Sequence, residues 1–324
     1  MTTTTRDAPD TGAGGRKPAM IQVRGLVKRY GDFTAVNSID LEVINDEIFG
    51  ILGPNGAGKT TTLEMIEGLR DPDAGTIEVA GIDAISNPNE VKHIIGVQLQ
   101  TTSLFDHLTV RELISLFAAL YDSDTSSERI DELLGLVSLE EKADSRANQL
   151  SGGQQQRLSI ALALVNDPEI VFLDEPTTGL DPQARRNLWD VISGLRSAGK
   201  TIVLTTHYME EAEVLCDRVA IMDAGRIIAC DTPLNLIQSL DQDATIRARV
   251  DRDLDLDAIR RLPGAIGAEI VEGQLAVRTT DVQATLTGLL GRATDLDIRL
   301  DNLMTTNANL EDVFLELTGR SLRE

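Results

Sequence analysis

Apolar positions along the chain change their spacing several times, and each change marks an element. Ile21 to Val27 and Ser38 to Val43 read as strands of a peripheral sheet, with Tyr30-Gly31-Asp32 as the turn between segments. Glu47-Ile-Phe-Gly-Ile-Leu52 is a short apolar run that ends in a glycine-rich loop, and a helical pattern starts at Lys59. Strand, glycine loop and helix in that order open a nucleotide-binding α/β unit. From Val110 to about Asn148 the spacing is helical, with Leu113, Leu116, Phe117 and Leu120 on the apolar side. Ser151-Gly152-Gly153 opens a further helix, Gln154 to Val165, which Asn166-Asp167-Pro168 stops. Ile170 to Leu173 and Thr201 to Thr206 are near-continuous apolar runs, the pattern of strands buried on both faces of a parallel sheet. Arg218 to Asp223 and Arg226 to Cys230 form a hairpin around Ala224-Gly225.

Beyond Leu240 the texture shifts to short strands and helices separated by acidic stretches. The expected order is strand 244–250, helix 254–262, strands 268–271 and 274–279, helix 281–290, strand 296–303 and helix 310–318. The chain therefore divides into a tail over 1–19, expected to be disordered, a large α/β domain over 20–240 and a small α/β domain over 241–324.

Composition narrows the setting. With 324 residues and 42% hydrophobic content the chain can bury a substantial core. No stretch approaches the roughly 20 apolar residues that span a bilayer, and the first residues lack the apolar core of a signal peptide. Cys216 and Cys230 are the only cysteines, which suits a reduced, cytoplasmic setting. A net charge of −22 argues against partners rich in phosphate, so nucleic acid is not expected.

Gly53-Pro54-Asn55-Gly56-Ala57-Gly58-Lys59-Thr60 fits the phosphate-loop pattern G-x-x-x-x-G-K-[ST] without a mismatch, and Thr61 follows in the helix. Its glycines let backbone N–H groups converge on phosphate oxygens, and the helix that follows directs its positive end at the same anion. Lys59 supplies a point charge for the β- and γ-phosphates, and Thr60 a hydroxyl for Mg²⁺. A plain glycine turn would not require the full pattern in this context. The loop alone says only that a nucleotide binds.

Asp174 and Glu175 end the buried strand that starts at Ile170, at the sheet edge where ligands of open α/β folds sit. Asp174 would hold Mg²⁺, and Glu175 would orient the attacking water. A solvated acidic turn is the bland alternative. Adjacent carboxylates there tolerate each other best near a cation. Leu150-Ser151-Gly152-Gly153-Gln154 is a capped helix N-terminus with two glycines that permit close approach, and so a second anion-binding end.

With these three motifs in this order, the chain resembles the ATPase subunits of ATP-binding-cassette (ABC) transporters over roughly residues 21–240. The resemblance implies a P-loop cassette fold: a mixed-sheet core, an antiparallel β subdomain and a helical subdomain over about 101–148, here followed by the small C-terminal domain. It implies that Ser151, Gly152, Gly153, Gln154 and Asp181 of one subunit close over the Mg·ATP held by the phosphate loop of a second copy. Tyr30 matches the aromatic that stacks on adenine, although alone it would pass for a packing residue. Gln100 resembles the glutamine that touches Mg²⁺ and water, with Gln98 the weaker choice. Asp181, in Gly179-Leu180-Asp181, matches the loop that couples the two sites, and equally an N-cap for the helix that follows. His207 resembles the switch histidine that contacts the γ-phosphate.

Thr205-Thr-His-Tyr-Met-Glu-Glu-Ala212, the hairpin Ala220 to Ala229 and the ending Leu310 to Gly319 resemble the daunorubicin- and doxorubicin-resistance branch. That implies export of a drug or lipid-like cargo through a separate membrane permease, with the ATPase peripheral on the inner face of the membrane. Asn45-Asp46-Glu47 departs from the family, where a glycine commonly precedes the glutamate. The rival is an ABC ATPase that acts on nucleic acid or the ribosome. Such proteins usually carry two cassettes or a very long coiled coil, and neither is present here.

Overall fold

The computed structural model describes residues 18–98, 105–240, 244–250, 255–271, 273–306 and 308–319. In chain order the first half contains β1 (Ala19–Tyr30), β2 (Phe33–Ile44), β3 (Ile48–Leu52), α1 (Lys59–Ile66), β4 (Ala74–Val79), β5 (Ile82–Asp83), α2 (Pro88–Ile94), β6 (Ile95–Gln98), α3 (Val110–Leu120), α4 (Ser127–Leu136) and α5 (Gly152–Ala163). Then come β7 (Ile170–Asp174), α6 (Pro182–Ser197), β8 (Thr201–Thr206), α7 (Met209–Leu215), β9 (Arg218–Asp223), β10 (Arg226–Asp231) and α8 (Pro233–Gln238). The C-terminal part adds β11 (Ala244–Val250), α9 (Leu256–Ile259), β12 (Ala265–Val271), β13 (Gln274–Thr279), α10 (Val282–Asp295), β14 (Leu300–Thr306) and α11 (Leu310–Thr318).

The central sheet runs β10-β9-β3-β8-β7-β6, parallel except for the edge hairpin strand β10. Its strands are buried on both faces, and alternation sorts their side chains into two layers. Phe49 and Ile51 of β3 and Ile170 and Phe172 of β7 point to a core shared with α1 and the antiparallel sheet β2-β1-β4-β5. Ile48, Leu52, Val171 and Leu173 point the other way, to a core built from α3 to α8. Register then positions the chemistry. Leu52 pairs with Thr206, and Asp174 with Thr205. The glycine loop, His207 and the acid pair thus leave the sheet at one edge.

The expected elements of the C-terminal part form an antiparallel sheet, β12-β13-β11-β14, over its own small core of Ile246, Ile259, Leu275, Val277 and Leu289. Several boundaries differ from the sequence reading: the helix expected at 254–262 is Leu256–Ile259, and the strand expected at 268–271 begins at Ala265. Helix α10 runs on to Asp295 because Thr285, Leu289 and Ala293 keep a buried stripe at four-residue spacing. The strand after it therefore begins at Leu300 instead of 296. The last helix, α11, does not stay with this sheet. Leu310, Val313 and Phe314 are buried in the core of the large domain, against α7 and α8.

Candidate active site

The phosphate loop follows β3 and meets α1 at Gly58, whose φ of 104° lies in the left-handed region. A Cβ there would stand 2.5 Å from the carbonyl oxygen of Ala35. Only glycine satisfies both conditions. Lys59 is buried, and its Nζ donates to the carbonyls of Gly53 (2.9 Å) and Pro54 (3.2 Å). It also lies 3.2 Å from Glu175 Oε1. Thr60 Oγ1 donates to Asp174 Oδ1 at 3.3 Å.

The two acids are organised by Thr205, a residue that sequence reasoning passed over because it reads as part of an apolar strand. Its hydroxyl donates to Asp174 Oδ1 and accepts from the Glu175 backbone N–H at 3.0 Å. The acids are nearly buried, 5% and 7% exposed, yet their electrostatics diverge. Burial pushes Asp174 above its ordinary value, against the hydrogen bonds from Thr205 and Thr60. Burial also opposes the charge on Glu175, but Lys59 and His207 beside it hold its carboxyl below the usual range. Glu175 has a φ of 47°, left-handed backbone for a residue with a side chain. Such conformations persist where the surrounding structure imposes them, and they concentrate at functional sites. Its Oε2 accepts from Thr178 Oγ1 at 3.1 Å and lies 3.2 Å from His207 Nδ1.

Tyr30, Asn55, Gly56, Gly58, Lys59, Thr60, Thr61, Glu175, Thr178 and His207 line one cavity of about 650 Å³ with Phe33 and Ala35. Phe33, 62% exposed, was not anticipated; its place three residues after Tyr30, across the turn, was the available signal. Tyr30 sits with the guanidinium of Arg70 5.5 Å from its ring centre and Lys28 at 5.9 Å.

Ser151, Gly153, Gln154 and Asp181 line a different cavity of about 260 Å³. Ser151 and Gln154 close a reciprocal capping box on α5: Ser151 Oγ accepts from Gln154 N–H, and Gln154 Oε1 from Ser151 N–H at 2.9 Å. Gly152 forms the first turn of α5 beside them. A Cβ on Gly153 would stand 2.9 Å from that of Ala184, so this glycine lets α5 and α6 approach. Asp181 caps α6, accepting from the N–H groups of Gln183 and Ala184, both at 2.9 Å. Gln100 lies outside the described residues. The weaker choice, Gln98, ends β6 and is buried.

A family model described as ABC transporter matches residues 36–178. The chain is 41% identical over 316 residues to Nod factor export ATP-binding protein I of Burkholderia orbicola, covering 94% of this chain and 99% of that protein. It is 40% identical to the protein of the same name in Ralstonia nicotianae, over 97% and 98% of the two chains. This chain belongs to the ATP-binding subunits of ABC transporters. Among solved structures, the dimeric bacterial ABC transporter cassette MJ0796 is 30% identical with a TM-score of 0.60, covering 66% of this chain and 98% of that one. The ABC transporter component cbiO1 of Clostridium perfringens is 27% identical with a TM-score of 0.62, over 69% and 94%. Both matches leave about a third of this ATP-binding subunit uncovered.

The ATP-binding subunit is an ATPase whose hydrolysis is coupled to transport, and its ligands are ATP and Mg²⁺. Proteins of this family work with membrane permease subunits, and MJ0796 forms a dimer. Among the described residues no helix is long and apolar enough to cross a membrane. The residues fit Mg²⁺. Thr60 and Asp174 offer adjacent hard oxygen donors, and the burial that raises Asp174 would be offset by a cation beside it. No group of three or more His, Cys, Asp or Glu among the described residues could cage a metal, so phosphate oxygens and water would complete its shell.

Proposed function

We propose that this subunit drives an exporter by binding Mg·ATP in the Tyr30–His207 cavity, with a second copy supplying Ser151, Gly152, Gly153, Gln154 and Asp181 over it. The observation that carries this reading is the separation of the two anion-binding surfaces. The loop, Glu175 and His207 share one cavity, while the capped N-terminus of α5 faces another lined by none of the same residues. One chain thus holds two half-sites, and a head-to-tail pair completes both.

In this reading Tyr30 stacks on the adenine, and the Gly53–Thr61 loop wraps the phosphates. Lys59 gives up its contact with Glu175 for the β- and γ-phosphates. Thr60 and Asp174, with Gln100, would hold Mg²⁺, which would neutralise charge on the β- and γ-phosphate oxygens. Glu175, already held ionised by its neighbours, orients the attacking water, and His207 faces the γ-phosphate. Positioning and charge stabilisation do most of the work, since phosphoryl transfer asks little covalent chemistry of the protein. ATP joins the subunits, and hydrolysis releases them. The helical segment 101–148 passes that motion to the permease, which keeps the subunit at the inner face of the membrane.

Export follows the names of the relatives, Nod factor export ATP-binding proteins, and the cargo we propose is hydrophobic or lipid-like, with drug-type solutes included. The acidic surface, net charge −22, disfavours action on nucleic acid. The test is phosphate release by the purified full chain. Glu175→Gln should lower turnover about 10²-fold or more while leaving ATP affinity unchanged. Near-normal hydrolysis by that variant would refute the role given to Glu175.

A further inference from the structure

A carboxyl that the reading above does not use lies behind the site. Glu211, on α7 four residues beyond His207, is fully buried. A buried acid costs several kcal/mol unless something compensates, and a leucine would serve packing at that position. Its Oε1 accepts from Trp189 Nε1 on α6 at 3.0 Å. Its Oε2 is buried without a hydrogen bond, and so is Thr177 Oγ1. The hydroxyls of Thr206 and Thr177 are near enough to favour its charged form, though neither completes a hydrogen bond of ordinary geometry. Burial outweighs them and pushes Glu211 above its usual value.

The neighbours show what this carboxyl joins. Thr206 immediately precedes His207, and Thr177 lies two residues past Glu175. Trp189 belongs to α6, whose first turns contribute Asp181, Gln183, Ala184 and Asn187 to the second cavity. From the same helix Arg185 stacks its guanidinium 4.1 Å over the ring of Tyr208, which packs 4.1 Å from the His207 ring. The strand end that carries His207, the turn that carries Glu175 and the helix that faces the opposing subunit therefore meet at one buried acid.

We propose that Glu211 is a positioning residue, fixing the spacing between Glu175 and His207 through Thr206 and Thr177 and tying both to α6 through Trp189. The proposal rests on the reading that Glu175 and His207 flank the γ-phosphate. Misplacement of a reacting group by about 1 Å can cost about 10²-fold, so a support of this kind shows itself in turnover and not in binding.

The experiment measures kcat, KM and Mg·ATP affinity of the full chain for Glu211→Ala, Glu211→Gln and Trp189→Phe, and repeats Glu211→Ala in a His207→Ala background. Glu211→Ala should lower kcat by about ten- to a hundredfold with ATP affinity within about twofold. Glu211→Gln keeps an acceptor for Trp189 and should return to within about threefold of the parent, and Trp189→Phe, which removes the N–H donor together with part of the ring, should lose about threefold or more. With His207 already gone, Glu211→Ala should cost no further rate, because both losses act through one geometry. The proposal is overturned if folded Glu211→Ala keeps its kcat and loses only thermal stability, or if the two losses multiply. Should Glu211→Ala fail to fold, an unchanged kcat in Trp189→Phe overturns it equally. Turnover that survives both Glu175→Gln and His207→Ala would instead defeat the reading of the site itself.

Discussion

The buried acid Glu67 at the end of α1 offers a test of the electrostatics under the phosphate loop. It is 2% exposed and lies close enough to Asp174 and Glu64 to feel their charge. Burial first, then those two carboxylates, push its pKa from 4.5 up to about 8. The folded protein therefore keeps the Glu67 proton over a range in which the unfolded chain has released it. Where the folded state binds more protons, stability falls as pH rises. The loss should begin near pH 4.5 and be complete by about pH 8. At about 1.4 kcal/mol per pH unit, the full displacement caps the penalty at about 5 kcal/mol. Relaxation around an ionised carboxylate and water entry bring the expected value nearer 2–3 kcal/mol. Glu67→Gln, with the shape of the neutral acid, removes the penalty. Urea denaturation of both proteins from pH 5 to pH 9 reads the difference directly. The variant should match the parent near pH 5 and exceed it progressively to pH 8, then hold level. A stability difference that stays flat across that range would show that Glu67 is ionised in the fold, and the reasoning from burial would fail.

Three further outcomes are expected. Phe314→Ala should destabilise the large domain by about 3–5 kcal/mol, because Phe314 is 1% exposed and anchors α11 in the main core; denaturant midpoints that move only slightly would place α11 outside the cooperative unit. Tyr30→Ala should weaken ATP binding by about 1–3 kcal/mol, measured by nucleotide titration, if its ring is a stacking platform. Gly153→Ala would press a methyl against Ala184 at the α5–α6 contact; phosphate release should fall while single-chain ATP binding stays intact, and retained turnover would argue that the second cavity takes no part.

Much of this arrangement was legible because it rests on local rules. A glycine loop between an apolar strand and a helix, a Ser-Gly-Gly cap and paired acids at a strand end each declare themselves within about ten residues. What stayed hidden was set by packing between distant segments. Thr205 reads as one more β-branched strand residue, and only the register of β8 against β7 reveals that its hydroxyl serves both acids. Glu211 reads as a solvated helix charge in Met209-Glu-Glu-Ala-Glu213. It is buried because α6 brings Trp189 over it. The return of α11 to the large domain was equally invisible: its amphipathic pattern names a buried face but not the surface that buries it. Asp46 shows the converse. Its φ of 57° requires the left-handed backbone that glycine adopts freely, which explains the glycine common in the family at this turn. An aspartate tolerates that backbone better than most residues do, and it keeps its N–H bonded to Thr201 Oγ1.

These placements give the C-terminal domain a physical route to the chemistry. Leu310 N–H donates to Glu213 Oε1 at 2.7 Å, so a side chain of α7 takes the first N–H of the last helix, beside its Asn309 cap. The same short helix presents Glu211 inward to Trp189 and begins two residues after His207. A seven-residue helix has little stability of its own and is held by what packs on it. Here that is the sheet on one side and α6, α8 and α11 on the others. Because α11 packs on both α7 and α8, a tilt of α11 reaches the helix that presents Glu211 to Trp189.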